Sequence, residues 1–500
     1  MNNLILVPLL VPLLTGLILF FFKERLTLTR RIAITSLCVT TCITIWLLIE
    51  VTLHKPLVIN FGDWQPPFGI QFVGDELGLL FTAVSCFVVT VIIYFGFGKR
   101  ERVANRYFLP SFILFLLSGV NGSFLTADIF NLYVMFEIML LASFVLLTLG
   151  QSIEQLRASI IYVVINVVSS WFFLMGVAYL YGTLGTLNFG HIAMRISESG
   201  QPPTVTLVAI IMIFVFGGKA SLVMFMWLPK AYAALNTELA ALFASLMTKV
   251  GVYALIRVMV LMFDEKPEVT HFLLYIMAIV TMIIGSIGVL GFKDIKKIAA
   301  YQVILSIGIA VLGLSANNSD GITGAIFYVS HDMIIKTLLF LVIGTLVLLA
   351  GTRYYDQFGG LIKYYPRLGI IFFITILSIG GVPPFGGFPG KLLIIKGALA
   401  NGYTIGVMVM IISSIIAMYS LLKVFLVMYF GRETVPQATQ HVILTKNKLY
   451  AMMILTVATI TVGIFSQYIL NISEVAAHFN MNENTYFKEI IPNVEAEAKK

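Results

Sequence analysis

The feature that most constrains this chain is a succession of apolar runs, each about 20 residues long, repeated almost from end to end. A run of that length spans the hydrocarbon core of a bilayer as a helix. Only 11% of the residues are charged and 59% are hydrophobic, against roughly a quarter charged in soluble domains. An open sheet in lipid would leave its edges unpaired, and the short alternating strands of a membrane barrel are missing. The fold class read from the sequence is therefore all-α, a polytopic membrane protein with about 14 transmembrane helices. The runs lie near residues 4–22, 32–54, 76–98, 108–125, 128–150, 158–181, 204–227, 237–263, 270–292, 298–314, 321–350, 368–399, 404–430 and 449–470, numbered here as spans 1 to 14. The opening run, Met1–Phe22, has no small-residue cleavage site and reads as a retained first helix. Polar stretches separate some spans: Lys55–Asp75, Gly182–Pro203, Gly351–Arg367, Gly431–Lys448 and the tail Asn471–Lys500.

The net charge of +8 does not mark a nucleic-acid binder, because the Lys and Arg residues sit mostly in short loops. Loops after odd-numbered spans hold 19 of them, including Lys23, Lys99, Arg100, Arg102 and Arg106. Loops after even-numbered spans, with the tail and its Lys499 and Lys500, hold 6. The positive-inside rule then puts both termini on the extracytoplasmic side of the membrane. Cys38, Cys42 and Cys86 fall inside apolar runs with no disulfide or zinc spacing, so core packing is expected of all three. Asp128 is expected to cap span 5, and Asp75 or Glu76 to cap span 3.

Seven cations remain inside spans: Lys219, Lys249, Arg257, Lys336, Lys391, Lys396 and Lys423. Glu137, His331 and Asp332 accompany them. A charge at mid-bilayer costs about 2.5–3.5 kcal/mol on insertion scales, so buried ionisable residues point to function. Depth separates them from residues that reach water along their own helix. At about 1.5 Å per residue, Glu137 lies roughly 13 Å into span 5. Lys249 and His331 are similarly deep, and Lys219, Lys336 and Lys391 lie somewhat past the centre. Lys396 and Lys423 lie nearer span ends and are expected to snorkel. Arg257 keeps its proton and suits an anchor or a stabiliser of a path. Asp332 points off at a different helical angle from His331 and ranks second, as a group that tunes the histidine. Burial lowers the proton affinity of a lysine and a nearby carboxylate raises it, so Glu–Lys pairs are adjustable switches, and histidine starts near the right range. The set Glu137, Lys219, Lys249, His331, Lys336 and Lys391 thus fits a proton relay along the membrane plane. A static pairing is the alternative, although one carboxylate cannot neutralise four buried lysines.

Spans 7 and 12 each carry a helix-breaking Gly-Lys region, Phe216-Gly-Gly-Lys219 and Phe388-Pro-Gly-Lys391, and span 12 adds Gly380-Gly-Val-Pro383-Pro384-Phe-Gly-Gly387. Five spans separate the two breaks. An odd offset would invert a second five-helix copy, as in inverted-repeat transporters. The expected division is 1–107 (spans 1–3), 108–263 (spans 4–8), 264–430 (spans 9–13, inverted) and 431–500 (the last helix and tail). The remaining histidines, His54, His191, His271, His441 and His478, have no metal-ligand spacing. No phosphate-binding loop, dinucleotide fingerprint or nucleophile–base pair is evident, and no cofactor is expected.

At these same residues the chain resembles the antiporter-like family shared by complex I and the Mrp (Mnh) antiporters. Leu132-Tyr-Val-Met-Phe-Glu137 resembles the family's span-5 glutamate motif. Lys219 followed by Trp227-Leu-Pro229 resembles the broken span-7 motif. Met247-Thr-Lys249-Val-Gly-Val-Tyr253-Ala-Leu-Ile-Arg257 and Gly381-Val-Pro-Pro-Phe-Gly-Gly-Phe388-Pro-Gly-Lys391 resemble the span-8 and span-12 motifs. Two departures stand out. Ser330-His331-Asp332-Met-Ile-Ile-Lys336 separates histidine and lysine by five residues where the family pattern has four. Trp227-Leu-Pro-Lys230-Ala-Tyr-Ala-Ala-Leu-Asn236-Thr-Glu238 replaces the histidine and Ala-Pro of complex I subunits, and looks most like the D-type subunits of Mrp sodium/proton antiporters. The resemblance implies two inverted five-helix units, partner subunits of types A, B, C, E, F and G, and sodium export driven by proton entry. It also implies that Glu137, Lys219, Lys249 and Lys391 are essential. An antiporter-like pump module of complex I or a membrane-bound hydrogenase, and a passive membrane scaffold, stay open as alternatives. The residues reveal no oxygen-rich cage for sodium.

Overall fold

A computed structural model of the chain describes residues 2–22, 25–96, 108–150, 152–432 and 444–490, with the backbone alone for Leu26. The counted cations Lys23, Lys99, Arg100, Arg102, Arg106, Lys499 and Lys500, and His441, lie outside the described residues. Among the described residues, twelve helices are long and apolar enough to cross a membrane, and the shorter apolar helices Leu109–Leu125 and Pro366–Gly380 supply spans 4 and 12. The chain is thus a multi-pass membrane protein of about 14 helices.

Spans 1 to 6 are Asn2–Phe22, Leu26–Leu53, Glu76–Phe95, Leu109–Leu125, Ile129–Thr148 and Ile153–Leu184. Span 7 is split into Pro203–Ala220 and Leu228–Ala234. Span 8 runs from Thr237 to Leu255 and continues as a π-helical turn, Ile256–Val260. Spans 9, 10 and 11 are Thr270–Gly291, Ile295–Ser315 and Ser319–Ala350. Span 12 is split into Pro366–Gly380 and Gly387–Ala400, and spans 13 and 14 are Thr404–Phe430 and Lys446–Ile464.

The helix starts follow from local chemistry. Asp75 accepts a hydrogen bond from the Gly78 amide at 2.9 Å and Asp128 from the Asn131 amide at 2.7 Å, each satisfying a donor the helix cannot. Asn236 and Asn318 do the same for spans 8 and 11. The breaks follow too. Gly381, at φ +82°, occupies the left-handed region that ends the first half of span 12. In span 7 that region is taken by Ser221 (φ +66°) and by the β-branched Val223 (φ +58°), which a side chain tolerates poorly.

Burial sorts the spans into an inner group and an outer ring. The apolar windows of spans 8, 10 and 11 are 100%, 94% and 89% buried, against 28% for span 14 and 33% for spans 2 and 6. Span 11 packs on spans 8, 10 and 14 and on the second half of span 12. Span 8 closes directly on the end of span 7's first half: a Cβ at Gly251 would lie 2.6 Å from the Ala220 nitrogen. The outer ring shows Trp171, Phe172 and Met175 of span 6 and Ile405, Met408 and Ile412 of span 13 to the surroundings, as a lipid-facing wall would.

Several polar stretches are more ordered than their composition announces. Lys55–Asp75 contains the antiparallel strands β1 (Leu57–Asn60) and β2 (Gln71–Gly74), with Leu57 opposite Gly74. Gly182–Pro203 contains the helix Phe189–Ser199, capped by Asn188. The chain after span 14 bends into helices Ser466–Met481 and Glu483–Ile490. These pack on spans 3 and 11 and on the helix Phe189–Ser199, so the tail is built into the fold up to Ile490. Cys38 and Cys42 are exposed on span 2, which corrects the expectation of core packing; Cys86 alone is buried, beside Asn121. An apolar outer face accepts a small thiol as readily as a core does.

Candidate functional site

Span 11 carries Asp332 and Lys336 one turn apart, so both face the same neighbour. That neighbour is span 8. Lys249 Nζ lies 2.9 Å from Asp332 Oδ2, and Lys336 Nζ lies 3.4 Å from Asp332 Oδ1. The Ser306 hydroxyl of span 10 donates to Oδ2 at 3.0 Å, and Lys249 also donates to the Ala244 carbonyl at 2.8 Å. All three charged side chains are within 5% of complete burial. One carboxylate thus bridges two ammonium groups, and this pairing is the condition on which buried charge is tolerated.

His331, next to Asp332, points a different way around the helix. Its Nε2 lies 2.9 Å from Ser378 Oγ of span 12 and 2.9 Å from Thr459 Oγ1 of span 14. Lys391 is held by the break in span 12. Its Nζ donates to the Ile379 carbonyl at 2.9 Å and the Gly380 carbonyl at 3.1 Å, the orphan acceptors at the end of the first half-helix. These carbonyls carry the negative end of that helix dipole, so they solvate an ammonium without a carboxylate. Pro383 and Pro384 lie in the connector and touch none of the ionisable groups through an ion pair; their part is to keep the two halves of span 12 apart.

Lys219 sits in the last turn of span 7's first half, 4% exposed. Its Nζ is 3.4 Å from Ser170 Oγ and 5.2 Å from the centre of the Phe136 ring. Glu137 is the residue after Phe136 on span 5. No ion pair joins it to Lys219, and Glu137 Oε1 is buried without a hydrogen-bond partner among the described residues. The Trp227 indole donates to the Gly218 carbonyl at 3.3 Å and so closes the break beside Lys219.

Residues 126–417, more than half the chain, match the transmembrane family described as NADH:quinone oxidoreductase/Mrp antiporter. The chain belongs to this family. It is 54% identical over 500 residues to the putative antiporter subunit mnhD2 of Staphylococcus aureus strain Mu3, covering 99% of this chain and all of that one. Among solved structures, the Mrp complex from Dietzia sp. DQ12-45-1b contains a chain similar at TM-score 0.89 and 27% identity, covering 98% of this chain and 99% of that one. A chain of the membrane-bound sulfane sulfur reductase, an archaeal respiratory complex, is similar at TM-score 0.88 and 27% identity, covering 98% of this chain and all of that one. A chain of respiratory complex I from Thermus thermophilus shares the fold at TM-score 0.81 and 22% identity.

Within this antiporter-family fold, three expectations from the sequence change. Asp332 is the shared counter-ion of Lys249 and Lys336, and does not hydrogen-bond His331. Its helical angle is indeed different from that of His331, and that angle is what turns it onto span 8. The five-residue separation of His331 and Lys336 leaves a four-residue separation of Asp332 and Lys336, and the i,i+4 contact forms between those two. Arg257 is 1% exposed, with no route to water along its helix. Its Nη2 lies 2.5 Å from both Asp75 oxygens, its Nη1 donates to Asn480 Oδ1 at 2.6 Å and its Nε to the Tyr253 hydroxyl at 2.9 Å. Asp75 thus caps span 3 and neutralises Arg257, tying spans 3 and 8 to the helix Ser466–Met481. Lys396, paired with Asp320 at 2.9 Å, and Lys423 are both exposed. Ser306, Ser378 and Thr459 went unnoticed in the sequence because single hydroxyl residues in apolar spans carry no spacing signal.

Proposed function

We propose that this chain is the antiporter-like, proton-translocating subunit of a multisubunit Na+/H+ antiporter in a bacterial plasma membrane. It is a secondary transporter component, working in pH and sodium homeostasis with partner subunits of the A, B, C, E, F and G types. The 54% identity to the S. aureus antiporter subunit supports this reading over a redox-driven pump module. The observation that carries it is the Lys249–Asp332–Lys336 bridge in the most enclosed part of the helix bundle, with His331 beside Asp332 and with Lys391 and Lys219 each at the break of a split helix. Two amines compete for one carboxylate there, so a proton removed from one strengthens the hold on the other. That is a natural element of a relay that passes protons along the membrane plane. The catalytic set is Glu137, Lys219, Lys249, His331, Lys336 and Lys391, joined by Asp332. Arg257 keeps its proton and braces the fold. The two five-helix units, spans 4–8 and 9–13, each contribute one broken helix with a lysine beside the break, and both termini face away from the cytoplasm.

The test is sodium/proton exchange in inverted vesicles carrying the complete complex. Lys249→Ala and Lys391→Ala complexes are expected to co-purify with all partners and to lose exchange. Undiminished exchange in both would reject the relay and leave a scaffold role. Purification of the chain with iron–sulfur subunits would replace the antiporter reading with the respiratory pump.

A further inference from the structure

Resting on that reading, we propose that the hydroxyls of Ser378 and Thr459 are proton-handling members of the relay, joining His331 to Lys391, and that span 14 is therefore part of the transport path. Span 14 lies outside both five-helix units and outside the matched residues 126–417.

The geometry is a closed triangle. His331 Nε2 is 2.9 Å from each hydroxyl, and the two hydroxyls are 3.0 Å from one another. Ser378 and Thr459 are fully buried and His331 is 2% exposed. Three sites share two hydroxyl hydrogens and, at most, one ring hydrogen. When Nε2 accepts, Ser378 donates to Thr459 and Thr459 donates to the ring, or the reverse. When Nε2 donates to one hydroxyl, that hydroxyl donates to the other, and the second keeps a hydrogen free to leave. Both arrangements contain two hydrogen bonds, so the switch between them breaks no net contact. The other ring nitrogen, Nδ1, is buried without a hydrogen-bond partner among the described residues. A Cβ on Gly386 would come within 2.6 Å of the ring, so that glycine lets the connector of span 12 lie against the imidazole.

The step balances with no change of oxidation state. One proton binds at Nδ1, the Nε2 proton passes to a hydroxyl oxygen, and that hydroxyl releases its own proton. The ring returns to neutral in the opposite tautomer, and rotation of the hydroxyls with tautomer exchange resets it. The receiving group is the Lys391 amine in its unprotonated form, which donates to the carbonyls of the two residues that follow Ser378 and makes no hydrogen bond to either hydroxyl in this conformation, so the last transfer requires the amine to swing over or a water to bridge. The other charges that face His331 are Asp332 and Lys336 on its own helix and Lys391 on span 12, with Lys249 of span 8 on Asp332.

The experiment compares Ser378→Ala/Thr459→Val with Thr459→Ser and with Lys249→Ala, in the whole complex reconstituted in vesicles, across a range of pH. Valine keeps the shape of threonine without its hydroxyl, and serine keeps the hydroxyl without the methyl. The double variant is expected to lose exchange about tenfold or more, while Thr459→Ser retains most of it. Wild-type exchange in the double variant, with Lys249→Ala inactive, would overturn the hydroxyl step and leave the relay standing. Wild-type exchange in Lys249→Ala as well would overturn the relay itself. Equal losses in Thr459→Val and Thr459→Ser would assign Thr459 to packing and overturn the proposal. Should the double variant fail to co-purify with its partners, the single Ser378→Ala and Thr459→Val complexes are read against the same outcomes.

Discussion

The two lysine regions of this molecule handle buried charge in opposite ways. Around span 7, Lys219 touches a serine hydroxyl and an aromatic face, and its neighbouring carboxylate, Glu137, keeps one oxygen unsatisfied. Around spans 8 and 11, Asp332 is fully engaged by Lys249, Lys336 and Ser306. An open pair costs little to make or break, so it suits a gate. A bridged trio holds its charge firmly, and in the proposed relay a proton would move there only by exchanging one amine for another. The difference shows that buried lysines of similar depth are not equivalent: local partners decide which is a switch and which is a store.

Removing Asp332 tests the firm region hardest. Asp332→Asn strands two buried ammonium groups, and the complex is expected to lose about 3–5 kcal/mol of stability along with exchange. Thermal unfolding of the purified complex reads the first and vesicle transport the second. If Asp332→Asn leaves the melting temperature unchanged, the two regions are energetically alike and the contrast fails. Glu137→Gln comes next. It should abolish exchange while shifting stability by about 1 kcal/mol or less, because no ion pair is lost; a large drop in melting temperature would show that a hidden pair exists. Lys336→Met sharpens the picture of the trio. It leaves Lys249 and Asp332 as a one-to-one pair, so the stability loss should be well below that of Asp332→Asn, with exchange reduced. The smallest effect is expected at Lys396, whose pair with Asp320 is 68% exposed on the lysine side. Lys396→Ala should change stability by about 0–1 kcal/mol and leave the exchange rate unaltered in the same vesicles.

Depth along a helix was legible from residue numbers, and Lys219, Lys249, His331, Lys336 and Lys391 are buried at the depths it gave, whereas Glu137, equally deep, is only half-buried because burial depends on which face of a helix is covered. Direction around a helix was harder. Asp332 looked secondary beside His331, yet one residue of rotation carries it to span 8 and its neighbour to spans 12 and 14. Arg257 read from the sequence only as an anchor or a stabiliser of a path, with no partner in view. The tail helix Ser466–Met481 folds back to cover it, a contact with Asn480 across 223 positions that no local pattern encodes. Cys38 and Cys42 show the converse: residues assigned to a core by type sit on the outer face of span 2.

The sequence by itself determined that this chain lives in a bilayer, how many times it crosses, where two helices break and how far along its helix each ionisable group lies. Each of those properties belongs to one helix and depends only on length, composition and the rise per residue. The tertiary structure alone decided that Asp332 serves two lysines, that Lys391 rests on helix-end carbonyls and that Thr459 of the last span meets His331. Those are contacts between helices, set by rotation and packing, and a linear pattern holds no record of which faces will meet.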